Sequence, residues 1–182
     1  VGSLMVLGGI RIELVPWAWL AIPLTIFWFV MIINAFNLLD NMDGLAAGVG
    51  AIAACFCSVH AIVHQQWDMA LIAACIIGPG LGFLRSNFPP ATIYMGDSGS
   101  HVLGLCLGSL ALLGSWQHST QLISVLAVPV LVLAVPIFDM CFVTILRMLN
   151  GRHPFAGGTD HLSHRLAILG LSQRQTVLAL YA

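Results

Sequence analysis

Residues 15–33 read VPWAWLAIPLTIFWFVMII, and residues 34–44 follow directly as NAFNLLDNMDG. The first stretch is apolar enough to cross a bilayer as one helix, which takes roughly twenty residues. The second sets five carboxylate or carboxamide side chains at its end: Asn34, Asn37, Asp40, Asn41 and Asp43. Such groups bordering a span are costly unless paired or solvated. The cluster is therefore expected at a water–lipid boundary or in a polar cavity, holding a cation or a polar substrate. Asn34, Asn37, Asp40 and Asp43 recur every third residue. On an unbroken helix each such step drifts by about 60°, so the four converge only if the helix breaks near Asn41 or Gly44. The alternative is a solvated helix end capped by Asn and Asp, which calls for one or two such residues.

The rest of the chain agrees with a membrane setting. Of 182 residues, 59% are hydrophobic and 7% charged, against about 25% charged in a soluble domain. The fold class expected is an all-α polytopic transmembrane bundle. Spans are predicted near 15–33, 45–63, 69–85, 100–116 and 121–147, with a sixth beginning near 174. The 45–63 and 100–116 segments are rich in Gly and Ala, which favours close helix packing. A net charge of −1 leaves no basic surface for nucleic acid. The five cysteines lie in apolar runs and read as small buried side chains. Cys55 and Cys57 lack the second ligand pair that a zinc site needs. The chain starts at Val1 and ends in what reads as a new apolar helix, so residues 1–182 are taken as the C-terminal part of one multi-spanning domain.

Two further polar islands border apolar runs. One extends from Arg85-Ser86-Asn87-Phe88-Pro89-Pro90 to Gly96-Asp97-Ser98-Gly99-Ser100. Pro89-Pro90 points to an extended loop, and Asp97 lies either at a ligand site or at a helix N-cap. With the first island it supplies oxygen ligands from two loops, the way Mg²⁺ is usually held. The other runs from Asn150-Gly151-Arg152-His153-Pro154-Phe155 to Asp160-His161-Leu162-Ser163-His164-Arg165, a mixture that suits a diphosphate. His161 and His164 could also be a metal pair or a solvated loop. Asp139 is either functional, as intramembrane acids tend to be, or a structural partner of an Arg such as Arg147. Arg85, Arg147, Arg152, Arg165 and Arg174 fall at the long connections and Arg11 on the other side. The positive-inside rule then puts all three islands in the cytoplasm, with the protein multi-pass in the cell's inner (plasma) membrane.

The segments NAFNLLDNMDGLAAG, SNFPPATIYMGDSGSHVLG, PIFD and GRHPFAGGTDHLSHRLAILGLS, in this order, resemble the polyprenyl-phosphate N-acetylhexosamine-1-phosphate transferases of glycosyltransferase family 4. The HPFAGGTDHLSHRL loop brings the resemblance closest to the bacterial undecaprenyl-phosphate GlcNAc-1-phosphate branch. The resemblance implies an enzyme that moves sugar-1-phosphate, most simply GlcNAc-1-phosphate, from a UDP-N-acetylhexosamine to a polyprenyl phosphate and releases UMP. That reaction is the first membrane step of cell-envelope polysaccharide synthesis. It further implies Mg²⁺, with Mn²⁺ as a substitute, and a homodimer as one assembly. It places Asn37 and Asp97 at the metal and assigns catalysis to Asp40, Asp43, Asp97, His161 and His164. Substrate contacts fall to Asn34, Asn87, Tyr94, Arg152 and Arg165, with Asn87 and Tyr94 near the nucleobase. The sequence departs from the family's pattern in three places. No adjacent Asp pair is present, Asn41 stands where Gly is usual, and Ser163 stands where the middle His of His-x-His-His is usual. Two other readings compete: an intramembrane Mg²⁺-dependent prenyltransferase and a non-enzymatic transporter subunit.

Overall fold

The structure is a computed structural model that describes residues 2–10, 12, 17–114, 128–153, 158 and 160–182. Its described elements are helices: α1 (Gly2–Leu7), α2 (Ala18–Leu39), α3 (Leu45–Val63), α4 (Trp67–Asn87), α5 (Gly96–Leu113), α6 (Ala134–Leu149), α7 (Leu162–Ile168) and α8 (Gln173–Tyr181). No strand occurs among the described residues. Three helices, α2, α3 and α4, are long and apolar enough to cross a membrane. The fifth predicted span, 121–147, is not one described helix. Residues 115–127 lie outside the description, residues 128–132 are helical, and Leu133 interrupts the helix before Pro136. Proline has no N–H to donate to the carbonyl of the preceding turn and its ring crowds that carbonyl, which fits an interruption there. The first span also overshoots its predicted end: α2 continues to Leu39, so Asn34 and Asn37 belong to the helix itself.

The helix breaks where convergence requires it. Asp40 terminates α2, and Gly44 opens α3 in the left-handed region at φ 77°, where a residue without Cβ is at ease. Van der Waals packing rather than water exclusion holds helices together in lipid. Accordingly α2 and α5 meet through glycine. A Cβ on Gly104 would lie 2.9 Å from the Ile33 Cα, and the Trp28 indole donates to the Gly108 carbonyl at 3.1 Å. Phe29, Ile32 and Phe36 of α2 pack with Leu107, Leu110 and Ala111 of α5 and with Leu133. Helix α3 buries a small-residue face, Ala46 through Ala54, on which α4 and α8 rest. A second cluster of Leu39, Leu45, Val49 and Val177 closes the end of the bundle that carries the polar islands.

Candidate active site

The α2–α3 break, the start of α5 and the start of α7 meet at that end. Asn37, in the last turns of α2, donates from Nδ2 to Asp97 Oδ1 at 3.0 Å and to Ser100 Oγ at 3.2 Å. Asp97 is not the N-cap. Met95 holds that position without a side-chain bond, and Asp97 lies exposed in the first turn of α5. There the amide dipoles favour negative charge. Ser100, fully buried, turns its hydroxyl to the carbonyls of Gly96 and Asp97 and fixes the approach of α5 to Asn37.

Asp40 projects just past α2. Burial pushes its carboxyl up to about 6, and the charges of Asp97 and Asp43 push it the same way. Three carboxylates therefore share one electrostatic neighbourhood. Asp40 binds its proton more tightly folded than unfolded, where 3.8 is ordinary. Its contribution favours the fold below about pH 4 and is lost as the pH rises through about 6. In chelator-treated protein, Asp40→Asn is expected to raise the melting temperature by about 1–3 °C near pH 8 and to leave it unchanged near pH 4. An equal shift at both pH values would contradict this placement.

The loop between α4 and α5 is pinned to the same break. Gly44 N–H donates to Asn87 Oδ1 at 2.9 Å, and Asn87 Nδ2 donates to the Ile93 carbonyl at 2.9 Å. Asn87 is 3% exposed. Its amide thus holds the loop, rather than facing a ligand. Asp43 Oδ2 accepts from Ala91 N–H at 3.0 Å and shares this work. Tyr94 is 75% exposed and open to stacking. From α8, Tyr181 donates to the Gly44 carbonyl at 2.6 Å and Arg174 to the Pro89 carbonyl at 2.8 Å. Asn34 does not join the cluster: its Nδ2 turns back to the Val30 carbonyl at 2.7 Å.

The third island is anchored by Asp139. The alternative of an Arg147 partner is not what forms. Asp139 Oδ2 lies 2.8 Å from His161 Nδ1, and Oδ1 accepts from Leu162 N–H at 2.8 Å. Both side chains are buried. A carboxylate on Nδ1 favours the tautomer with its proton there, which leaves Nε2 as the lone-pair nitrogen. Arg147, itself buried, pairs with Asp160 at 3.3 Å, and Arg152 approaches the same carboxylate at 4.0 Å. Arg165 donates from Nε to the Asp160 carbonyl at 3.2 Å and lies over the Phe142 ring at 5.2 Å. Asp160 thus gathers three arginines. His164 is half-exposed, its ring edge-on to His161 at 6.2 Å between centroids.

The residues fit a magnesium ion in kind. Asn37 spends its amide nitrogen on Asp97 and Ser100, and its oxygen and the carboxylates of Asp97 and Asp40 are ligands of the type that magnesium takes. Among the described residues no three His, Cys, Asp or Glu side chains are grouped so as to hold a metal ion by themselves.

Fold and site together define a polytopic helical membrane protein with a cluster of acidic side chains beside a histidine–arginine segment at one end of its bundle. The glycosyl transferase family 4 pattern matches residues 2–115, and the chain belongs to that family. It is 43% identical over 90% of its length to a probable undecaprenyl-phosphate N-acetylglucosaminyl 1-phosphate transferase of Bacillus subtilis. It is 38% identical over 88% of its length to a decaprenyl-phosphate N-acetylglucosaminephosphotransferase of Mycolicibacterium smegmatis. A phospho-N-acetylmuramoyl-pentapeptide-transferase of Limosilactobacillus fermentum is 39% identical over 63% of the chain. The chain spans 45%, 44% and 36% of these three relatives, respectively.

Proposed function

We propose that the full-length protein transfers GlcNAc-1-phosphate from UDP-GlcNAc to a polyprenyl phosphate and releases UMP. The observation that carries this reading is the Asn37–Asp97 bond, which joins two islands 60 residues apart beside Asp40, with the histidine–arginine segment on the adjacent side. The names of the two N-acetylglucosamine relatives supply the substrate class. In the reaction, an oxygen of the lipid phosphate bonds to the phosphorus that bears the sugar. The bond from that phosphorus to the bridging oxygen breaks, and the oxygen leaves with UMP. A divalent ion held by Asn37 and Asp97 would neutralise charge on the diphosphate. Arg152, Arg165 and His164 offer cationic or donor groups at the rim, and Asp139 fixes the orientation of His161 beside them. Catalysis on this account is positioning and electrostatics.

An apolar groove of about 420 Å³ supports a lipid acceptor. It runs between α3, residues 128–135 and α8, and reaches Tyr181 next to Gly44. The arginine distribution supports a cytoplasmic site in the plasma membrane. The prenyltransferase and transporter readings leave Asp97 and the histidine segment without work. Membranes containing the full-length protein, polyprenyl phosphate and Mg²⁺ are expected to convert UDP-GlcNAc to UMP and a lipid-linked diphosphate sugar. Absence of product with every UDP-amino sugar, from folded protein, would overturn the proposal.

A further inference from the structure

The two positions at which residues differ from the family's usual Gly and middle His are in contact. Asn41 lies one residue past Asp40 in the α2–α3 break. Its Nδ2 donates to the Leu38 carbonyl at 2.7 Å, capping the end of α2, and its Oδ1 accepts from Ser163 Oγ across 122 positions of sequence. Ser163 is 1% exposed, so its hydroxyl bonds here without competition from water. One residue earlier, Leu162 N–H and His161 Nδ1 are engaged by Asp139. The first turn of α7 is therefore held from two sides. Asp139 ties it to α6, and Asn41 ties it to the acidic turn. The first tie orients His161, while the second fixes how far His161 and His164 stand from Asp40 and Asp97.

We propose that Asn41 and Ser163 are a matched positioning pair that sets the gap between the acidic turn and the histidine segment, and with it the fit of the sugar nucleotide's diphosphate. Neither touches the reacting atoms. The inference rests on the transferase reading for its kinetic consequence but not for its structural one. The test is a double-mutant cycle in the full-length protein with Asn41→Ala, Ser163→Ala and both. Each single change is expected to raise KM for UDP-GlcNAc about tenfold with kcat within about threefold. The double variant should stay near tenfold rather than reach the hundredfold product. Ser163→Thr, which keeps the hydroxyl, should hold KM near wild type. A multiplicative double variant, single variants within twofold of wild type, or failure of Ser163→Thr would each overturn the pair.

A second readout needs no turnover. Trypsin cleavage after Arg165 in detergent-solubilised, substrate-free protein should rise at least about fivefold in either alanine variant, because a loosened helix opens locally. Unchanged cleavage overturns the pair whatever the kinetics show. If wild type catalyses no transfer while cleavage rises as expected, the pair stands and the transferase reading falls.

Discussion

Asp97→Asn in the full-length protein is expected to lower transfer by at least about 10²–10³-fold and to move the melting temperature by less than about 2 °C. The substitution is isosteric, and the Asn oxygen can still accept from Asn37 Nδ2, whose bond to Asp97 is 3.0 Å long. Asp97 is exposed, so no buried partner is stranded. What disappears is one negative charge beside Asp40, where a metal–diphosphate would be neutralised. Thermal melting and initial rates on the same preparation separate the two effects. Activity within tenfold of wild type would remove Asp97 from the reacting centre.

Gly104→Leu is expected to destabilise the bundle by about 3 kcal/mol or more and to abolish transfer with it. The new Cβ would fall 2.9 Å from the Ile33 Cα, 3.1 Å from the Ile32 carbonyl oxygen and 3.3 Å from the Phe36 Cβ. Two of these are backbone atoms, which cannot swing aside, so α2 and α5 must part. The contact lies one helical turn from the functional bond: Ile33 precedes Asn37 by four residues, and Gly104 follows Ser100 by four. Separation at Gly104 therefore pulls Asn37 away from Asp97 and Ser100. Gly82→Ala is the control. Its Cβ meets nothing within 4 Å, and alanine is the better helix former, so the melting temperature should hold or rise slightly. A Gly104→Leu protein that melts like wild type would contradict the packing described.

Much of this arrangement is legible before any coordinates. Apolar runs ending in polar islands mark the helices and the end at which they gather, because lipid tolerates Asn and Asp only at its border. The threefold spacing of Asn34, Asn37, Asp40 and Asp43 allows convergence only across a break, and Gly44 marks its far side. Small residues in α3 and α5 announce close crossings. What spacing does not encode is which partner a polar group finds across the bundle. Asn34 and Asn37 look alike in sequence, yet one bonds its own helix and the other Asp97, because Asn37 lies on the face of α2 that meets α5 and Asn34 is exposed on another. Asn87 reads as a ligand contact but is spent on Gly44 and Ile93. Asp139 finds His161, whereas Arg147 finds Asp160, a choice set by the path of the chain into α7. The Asn41–Ser163 bond is the extreme case, since neither residue type signals a partner 122 positions away.

On the proposed function the three polar islands form one cation-dependent sugar-nucleotide site, and UMP exchange reads that site directly. Full-length protein in membranes, supplied with labelled UMP and its lipid-linked product, should return label to UDP-GlcNAc when Mg²⁺ is present. It should stop with chelator and recover when Mg²⁺ is restored. Exchange that proceeds at full rate in chelator, or that fails with folded protein and every lipid-linked amino sugar, would contradict the account.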